Sequence, residues 1–357
     1  GLRTAEALAT YASIIDPGFM SSRSASAESA FVNIGLYYEH DLSDPYHLSG
    51  AERSGFQRRL ATQINNYVST LRAEAAALLA SNIKNQTAAQ RFYVFNPLGW
   101  SRTDVADIQS SVGGAFRVVD VGTGQEVRSQ RITVNGQNYV RVLAENVQAV
   151  GYRVYEIQSG ASQFTESAAV FSNGNTTFEN DKYRVTVNGR GAISSLIDKR
   201  DGDREWVQSI GSLLMNDLGS GSGTTVPENV GAVSASIYVN AGGSPAHRTR
   251  ITLYKVVDRI DVENEITSNF ASTTSYSFGF NLSGYTVRHE EVGAIAVAKY
   301  VEQGGSYSPN LARYDYLTLN HFVDISDAQR GMTLSNWDSQ FFKLGNSVGN
   351  TLDGTTP

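Results

Sequence analysis

The first 85 residues place apolar side chains three or four positions apart, which is the spacing of one face of an α-helix. The pattern is clearest at 56–78, where Phe56, Leu60, Ile64 and Leu71 follow one another at this period. Residues 2–15 and about 27–39 show the same spacing. We therefore predict three amphipathic helices that bury their apolar faces against one another as a small bundle.

From residue 91 the pattern changes to an alternation of apolar and polar positions, with glycine-rich turns between the runs. Asn135-Gly136, between runs at 132–134 and 139–142, is a strong signal for a two-residue β-hairpin. Residues 160–175 are rich in Ser, Ala and Asn and predict a linker or long loop. Further strands are predicted at 92–95, 118–121, 151–157, 183–187, 193–197, 234–239, 251–257 and 259–265.

This order of patterns predicts an α+β protein that is mostly β. We expect a three-helix bundle at 1–86, a small β-domain at 87–160 and a large antiparallel β-sandwich at 161–357. The sequence shows no internal repeat and no heptad array.

Composition narrows the function classes. The chain has 357 residues, a net charge of −6 and a pI near 5.5, which argues against nucleic acid or an anionic membrane as a partner. The chain contains no cysteine, so disulfides and thiolate chemistry are excluded. The absence of cysteine, with abundant Gly, Ser, Thr, Asn and Tyr, leans towards a secreted or periplasmic protein.

Several segments then occur in an order that resembles a known family. They are LRTAEALA at 2–9, GLYYEHD at 35–41, FYVFNPLGWSR at 92–102, ENDKYRVTV at 179–187 and LNHFVDISD at 319–327. Together they resemble glycoside hydrolase family 38, the class II α-mannosidases. The NPLGW segment is the most specific of them, and the shared order extends along nearly the whole chain.

The resemblance implies a zinc-dependent retaining α-mannosidase and a large sandwich of mutarotase-like type. In this family an N-terminal barrel carries the aspartate nucleophile, a second catalytic aspartate and most zinc ligands, so no catalytic residue is expected in this chain. His40 is the implied ligand of one zinc ion, and Asp41 the implied contact to a substrate hydroxyl. Glu39 stands where the family often has a second His, which affects the expected substrate subsite.

The implied partners are a mannose-containing glycan or mannoside and the barrel, as part of the same protein or as a separate chain. A homo-oligomer is compatible with the sequence. Spacing alone gives blander interpretations of the two site residues. A His at the end of a helix commonly caps it and interacts favourably with its dipole. Asp41 is typical of a solvated loop, and His47 lies in a Pro-containing loop, where a structural or an exposed position is expected.

Two other functions remain open. A non-catalytic carbohydrate-binding or scaffold module would share the fold, since fold alone does not fix function. A mutarotase-like activity would need a converging His and Glu, for which His247, His289 and Glu290 are the candidates. Adjacent strand residues point to opposite faces, so residues 289–291 are more simply interpreted as a solvated strand end. His321 and Asp324 flank a predicted strand, where local hydrogen bonding is the simpler interpretation. Sugar stacking and core packing compete for Trp100, Trp206 and Trp337; we expect core packing.

Overall fold

The computed structural model describes residues 1–39, 48–83, 89–310 and 313–353. The chain divides into two compact units. The first comprises Gly1–Glu166 with Gly231–Val233, and the second comprises Ser167–Val230 with Ser234–Pro357. The protein is mostly β, with its helices at the N-terminal end, as the sequence predicts.

In its described part, the first unit opens with three α-helices: α1 (Leu2–Ile15), α2 (Ser24–Tyr37) and α3 (Gly50–Ser81). Buried alanines of α1, among them Ala5 and Ala12, pack with Leu71 and Ala75 of α3. These small side chains allow the two helices to approach closely. α3 begins with a capping box, in which Ser49 Oγ accepts a hydrogen bond from the Glu52 amide at 3.2 Å and Glu52 Oε2 accepts one from the Ser49 amide at 2.8 Å.

Seven strands complete the first unit. They are β1 (Gln90–Asn96), β2 (Arg102–Gln109), β3 (Phe116–Asp120), β4 (Glu126–Val127), β5 (Ser129–Val134), β6 (Gln137–Val147) and β7 (Gly151–Ser159). They form two antiparallel sheets, ordered β1-β7-β3-β4 and β2-β6-β5, over a core that includes Val118, Val142 and Tyr155. The hairpin predicted at Asn135-Gly136 is confirmed: both residues have positive φ, at 50° and 74°, as a type I′ turn requires.

The second unit consists of short antiparallel strands. They are β8 (Val170–Ser172), β9 (Thr177–Glu179), β10 (Tyr183–Val187), β11 (Ile193–Asp198), β12 (Arg204–Glu205), β13 (Thr225–Glu228), β14 (Ser234–Ala241), β15 (His247–Tyr254), β16 (Ile260–Ile266), β17 (Thr286–Glu291), β18 (Ala294–Val297), β19 (Leu317–Thr318), β20 (Phe322–Ser326), β21 (Gly331–Ser335) and β22 (Phe341–Phe342).

The larger sheets of the second unit share one hydrophobic core. The sheets are ordered β12-β11-β10-β9-β8, β13-β14-β15-β16 and β18-β17-β20-β21, with β19 and β22 as a separate pair. Phe178, Ile237, Val287 and Leu317 come from four different sheets, and all are buried in that core. Sheets that bury one face each against a common core form a β-sandwich, which confirms the predicted fold class.

Among the described residues, no helix combines the length and apolar character that crossing a bilayer requires.

Candidate functional site

His40 and Asp41, the two site residues implied by the sequence, lie outside the described residues, and so does His47. The structure describes the elements on either side of them. α2 ends at Tyr37, three residues before His40, and α3 begins at Gly50 after its capping box. The zinc-ligand and helix-cap interpretations of His40 therefore both stay predictions.

The NPLGW segment is held by one buried asparagine. Asn96 is 4% exposed, and its side-chain amide donates to the carbonyl oxygens of Trp100 at 2.7 Å and Val147 at 3.0 Å. Its Oδ1 accepts a hydrogen bond from the Leu98 amide at 3.1 Å. The asparagine thus satisfies backbone groups on both sides of the turn that follows β1, which is a structural role.

The three tryptophans have different surroundings. Trp206 is 5% exposed and belongs to the core of the second unit, as expected. Trp100 is 63% exposed and Trp337 is 96% exposed, so the prediction of core packing is wrong for these two. Trp100 lies between β1 and β2, and Trp337 lies between β21 and β22, so neither ring is on a strand that faces a core.

His289 is fully buried, so its interpretation as part of a solvated strand end is wrong. Its Nδ1 lies 2.8 Å from the Thr318 carbonyl oxygen and its Nε2 lies 2.9 Å from the Tyr307 hydroxyl. A carbonyl only accepts, so Nδ1–H donates to Thr318, and Nε2 accepts from Tyr307 in the neutral ring. Burial lowers the pKa of His289. The pKa of Tyr307 is raised to about 12, because its hydroxyl is buried and lies near the negatively charged Glu291 carboxylate.

Glu290 points away from that buried ring, in agreement with the predicted alternation along the strand. Its carboxylate contacts His321 Nδ1 at 2.9 Å and accepts a hydrogen bond from Asn320 Nδ2 at 3.3 Å. The partner of His321 is thus 31 residues away in the chain, so the expectation of local hydrogen bonding is wrong for His321. It is confirmed for Asp324, which accepts hydrogen bonds from Ser326 Oγ at 2.6 Å and Thr333 Oγ1 at 3.0 Å.

His247 is buried in β15 and contacts two backbone carbonyl oxygens. Its Nε2 lies 2.9 Å from the Arg190 oxygen and its Nδ1 lies 3.2 Å from the Pro245 oxygen. β15 and β17 belong to different sheets, and the described hydrogen bonds of His247 and His289 do not reach Glu290. The three mutarotase candidates thus do not converge on an accessible site.

A groove of about 660 Å³ lies in the first unit beside α3, β1 and β2. Its walls are mainly apolar, with Ala76 and Phe92 among them. Two of its three charged residues are engaged in ion pairs: Arg91 contacts Glu156 at 2.7 Å and Asp107 contacts Arg141 at 2.7 Å, and the third is Arg72. An apolar groove without converging free polar groups does not define a catalytic centre.

The described residues also contain no cluster of three or more His, Asp or Glu side chains that could hold a metal ion. They therefore provide no complete zinc site. A zinc ion bound through His40 would need at least one further ligand from outside the described part of the chain.

Comparison with known proteins identifies the class of fold. No protein-family model matches the sequence, and no curated protein matches it. Solved structures do match the fold of this chain.

Two of these structures come from Enterococcus faecalis. An α-mannosidase from strain V583 has a TM-score of 0.63, with 14% identity over 92% of this chain. A protein in glycosyl hydrolase family 38 has a TM-score of 0.64, also with 14% identity over 92%. This chain spans 46% and 48% of their lengths, or about half. The resemblance indicated by the sequence segments is thus confirmed at the level of the fold.

Proposed function

We propose that this chain is the helical and β-sandwich portion of a zinc-dependent retaining α-mannosidase that hydrolyses terminal α-mannosides. The observation that carries the proposal is the agreement of two independent features. The family-like segments occur in the expected order, and the fold matches an α-mannosidase over 92% of the chain. Because the sequence identity is only 14%, the match of the folds does not by itself account for the order of the segments, nor the segments for the match of the folds.

In this proposal His40 is a zinc ligand and Asp41 accepts a hydrogen bond from a mannose hydroxyl. Zinc, when bound, acts as a Lewis acid towards oxygen ligands. Retaining hydrolysis requires a carboxylate nucleophile and a carboxylic acid about 5 Å apart. We assign both to a catalytic domain N-terminal to this chain's sequence, so the chain's own contribution is to complete and support the site.

A carbohydrate-binding module is the second candidate, because aromatic rings are exposed on the second unit. Tyr316 is 48% exposed and Phe341 is 54% exposed, with their ring centroids 6.5 Å apart. Trp337 is 96% exposed. Exposed aromatic side chains of this kind are common at binding surfaces, where one ring face is available for contact.

Hydrolysis separates the two candidates. We expect the gene product at its native length to release 4-nitrophenol from the α-mannoside and not from the β-mannoside, with mannose appearing first as the α-anomer. Trp337→Ala should leave this rate unchanged. Absence of hydrolysis, together with mannan binding that is lost in Trp337→Ala, would favour the binding module instead.

A further inference from the structure

One sheet of the second unit has an open face. In the sheet β18-β17-β20-β21, His289 of β17 and Ile325 of β20 are buried. Successive side chains of a strand point to opposite sides, so Arg288 and Glu290 lie on the other side of the sheet. Arg288 is exposed there, and Ile295, which lies opposite Glu290 on β18, is 60% exposed. We call this side the outer face of the sheet.

Three polar side chains meet at one end of the outer face. Glu290 lies in the last turn of the pleat of β17, and Asn320 and His321 immediately precede β20, the strand that pairs with β17. The Glu290 carboxylate accepts a hydrogen bond from Asn320 Nδ2 at 3.3 Å and contacts His321 Nδ1 at 2.9 Å. These contacts fix the three side chains relative to one another, and we call them the Glu290 cluster.

The Glu290 cluster has hydrogen-bonding capacity left for a ligand. A carboxylate offers about four lone-pair sites, and the two contacts occupy two of them. Because a carboxylate only accepts, His321 Nδ1–H donates to it, and Nε2 of the neutral ring is an acceptor on a side chain that is 51% exposed. The Asn320 amide has a second N–H to donate. Fixed acceptors beside a donor suit neighbouring hydroxyl groups, which both donate and accept, whereas the carboxylate repels a phosphate.

An exposed tryptophan lies at the same end of the sheet. Trp337 is 96% exposed and lies two residues after β21, which ends at Ser335. The backbone amide of its neighbour Asn336 donates to the His321 carbonyl oxygen at 2.7 Å, so this loop is tied to the Glu290 cluster. Tryptophan is on average highly buried in folded proteins, and a ring left almost entirely in water indicates a surface that contacts a ligand.

An aromatic ring beside fixed hydrogen-bonding groups matches the chemistry of a sugar. A pyranose carries C–H groups on its faces and hydroxyl groups at its rim, so a face can stack on the indole while the hydroxyls bond to the cluster. A nucleic acid or an anionic membrane would need free basic groups, and the net charge of this chain is −6. An open sheet face also leaves room for a chain of sugars on either side of the contact.

We propose that the Glu290 cluster and Trp337 form a binding surface for α-mannan chains. This inference rests on the proposed function, which makes α-mannosides the substrate class. It differs from the binding-module candidate, because here one protein both holds the polymer and hydrolyses its ends. A polymer held on this surface keeps its other chain ends close to the enzyme, which raises their effective concentration.

Affinity electrophoresis in gels with and without soluble α-mannan measures the dissociation constant of this contact. It would be run in the cold on the gene product at its native length and on its Trp337→Ala and Glu290→Gln variants. Trp100→Ala is the matched control, because this tryptophan is also exposed, at 63%, and lies in the first unit. Hydrolysis of 4-nitrophenyl α-mannoside by the original protein is recorded separately, as is the oligomeric state of each variant.

We expect Trp337→Ala and Glu290→Gln each to weaken mannan binding at least about fivefold, and Trp100→Ala to bind like the original protein. Unchanged binding in either variant, or an equal loss in Trp100→Ala, would overturn the inference, while hydrolysis by the original protein would show that the proposed function stands. A changed oligomeric state in Trp337→Ala without loss of mannan binding would also overturn it, because the occupant would then be a second copy. The expected losses in a protein that does not hydrolyse the mannoside would retain the surface and count against the proposed function.

Discussion

His289 illustrates how a single residue can couple folding to pH. Its ring has no exposed surface, and both of its nitrogens are used, Nδ1 towards the Thr318 carbonyl and Nε2 towards the Tyr307 hydroxyl. Burial holds its pKa below the ordinary value of 6.5. As pH falls below about 6.5, the unfolded chain takes up a proton that the folded protein does not, so the folded state loses stability.

We therefore predict that the free energy of unfolding decreases as pH is lowered from 6.5, with His289 contributing up to about 1.4 kcal/mol per pH unit. Urea titrations between pH 7.5 and 5 measure this slope. His289→Gln should flatten it. An unchanged slope in His289→Gln would show that the buried ring is not responsible.

The partners of such residues were beyond sequence reasoning, because they are distant in the chain. Asn96 bonds to the Val147 carbonyl, and His321 pairs with Glu290, 31 residues away. The sequence does predict that residues 289 and 290 face opposite sides of a strand, since that follows from the period of two. It does not predict which of the two sides is buried.

At the scale of elements, the turns on either side of β11 differ in how tightly they pack. Gly191 and Gly202 both have positive φ, at 81° and 64°. A Cβ at Gly191 would lie 2.6 Å from Thr249 Oγ1 and 2.8 Å from Thr249 Cβ, whereas a Cβ at Gly202 would meet nothing within 4 Å. The first turn is pressed against β15, and the second is open.

We predict that Gly202→Ala lowers the free energy of unfolding by about 1 kcal/mol, the cost of a left-handed alanine. Gly191→Ala should cost about 2 kcal/mol more, because the new methyl group also collides with Thr249. Chemical denaturation of both variants measures the difference. Equal losses would contradict the close packing of this turn on β15.

Strongly patterned elements were predictable and weakly patterned ones were not. α1 and β10 have the predicted bounds, 2–15 and 183–187, and α3 is longer at both ends than the 56–78 expected. The sequence does not predict β2, whose outward positions carry charges such as Asp107, which pairs with Arg141. β8 lies inside the expected linker, where its pairing with β9 and the stacking of Phe171 on Phe178, with centroids 5.6 Å apart, define a strand.

At the scale of the whole molecule, the order of short segments was more informative than any one of them. The NPLGW segment and the later strand segments predicted a fold that solved structures confirm over 92% of the chain. Zinc binding by His40 stays a prediction, because His40 lies outside the described residues.

The central claim is that the segment after α2 completes the zinc site of an α-mannosidase. The most direct test measures the content of bound zinc and the rate of α-mannoside hydrolysis in His40→Ala. His47→Ala, in the same segment, is the matched control. We predict that His40→Ala loses zinc and at least about 100-fold in rate, because even outer-shell changes at metal sites cost 10–100-fold, while His47→Ala keeps both. Full zinc content and full activity in His40→Ala would contradict the claim and leave His40 as a helix cap.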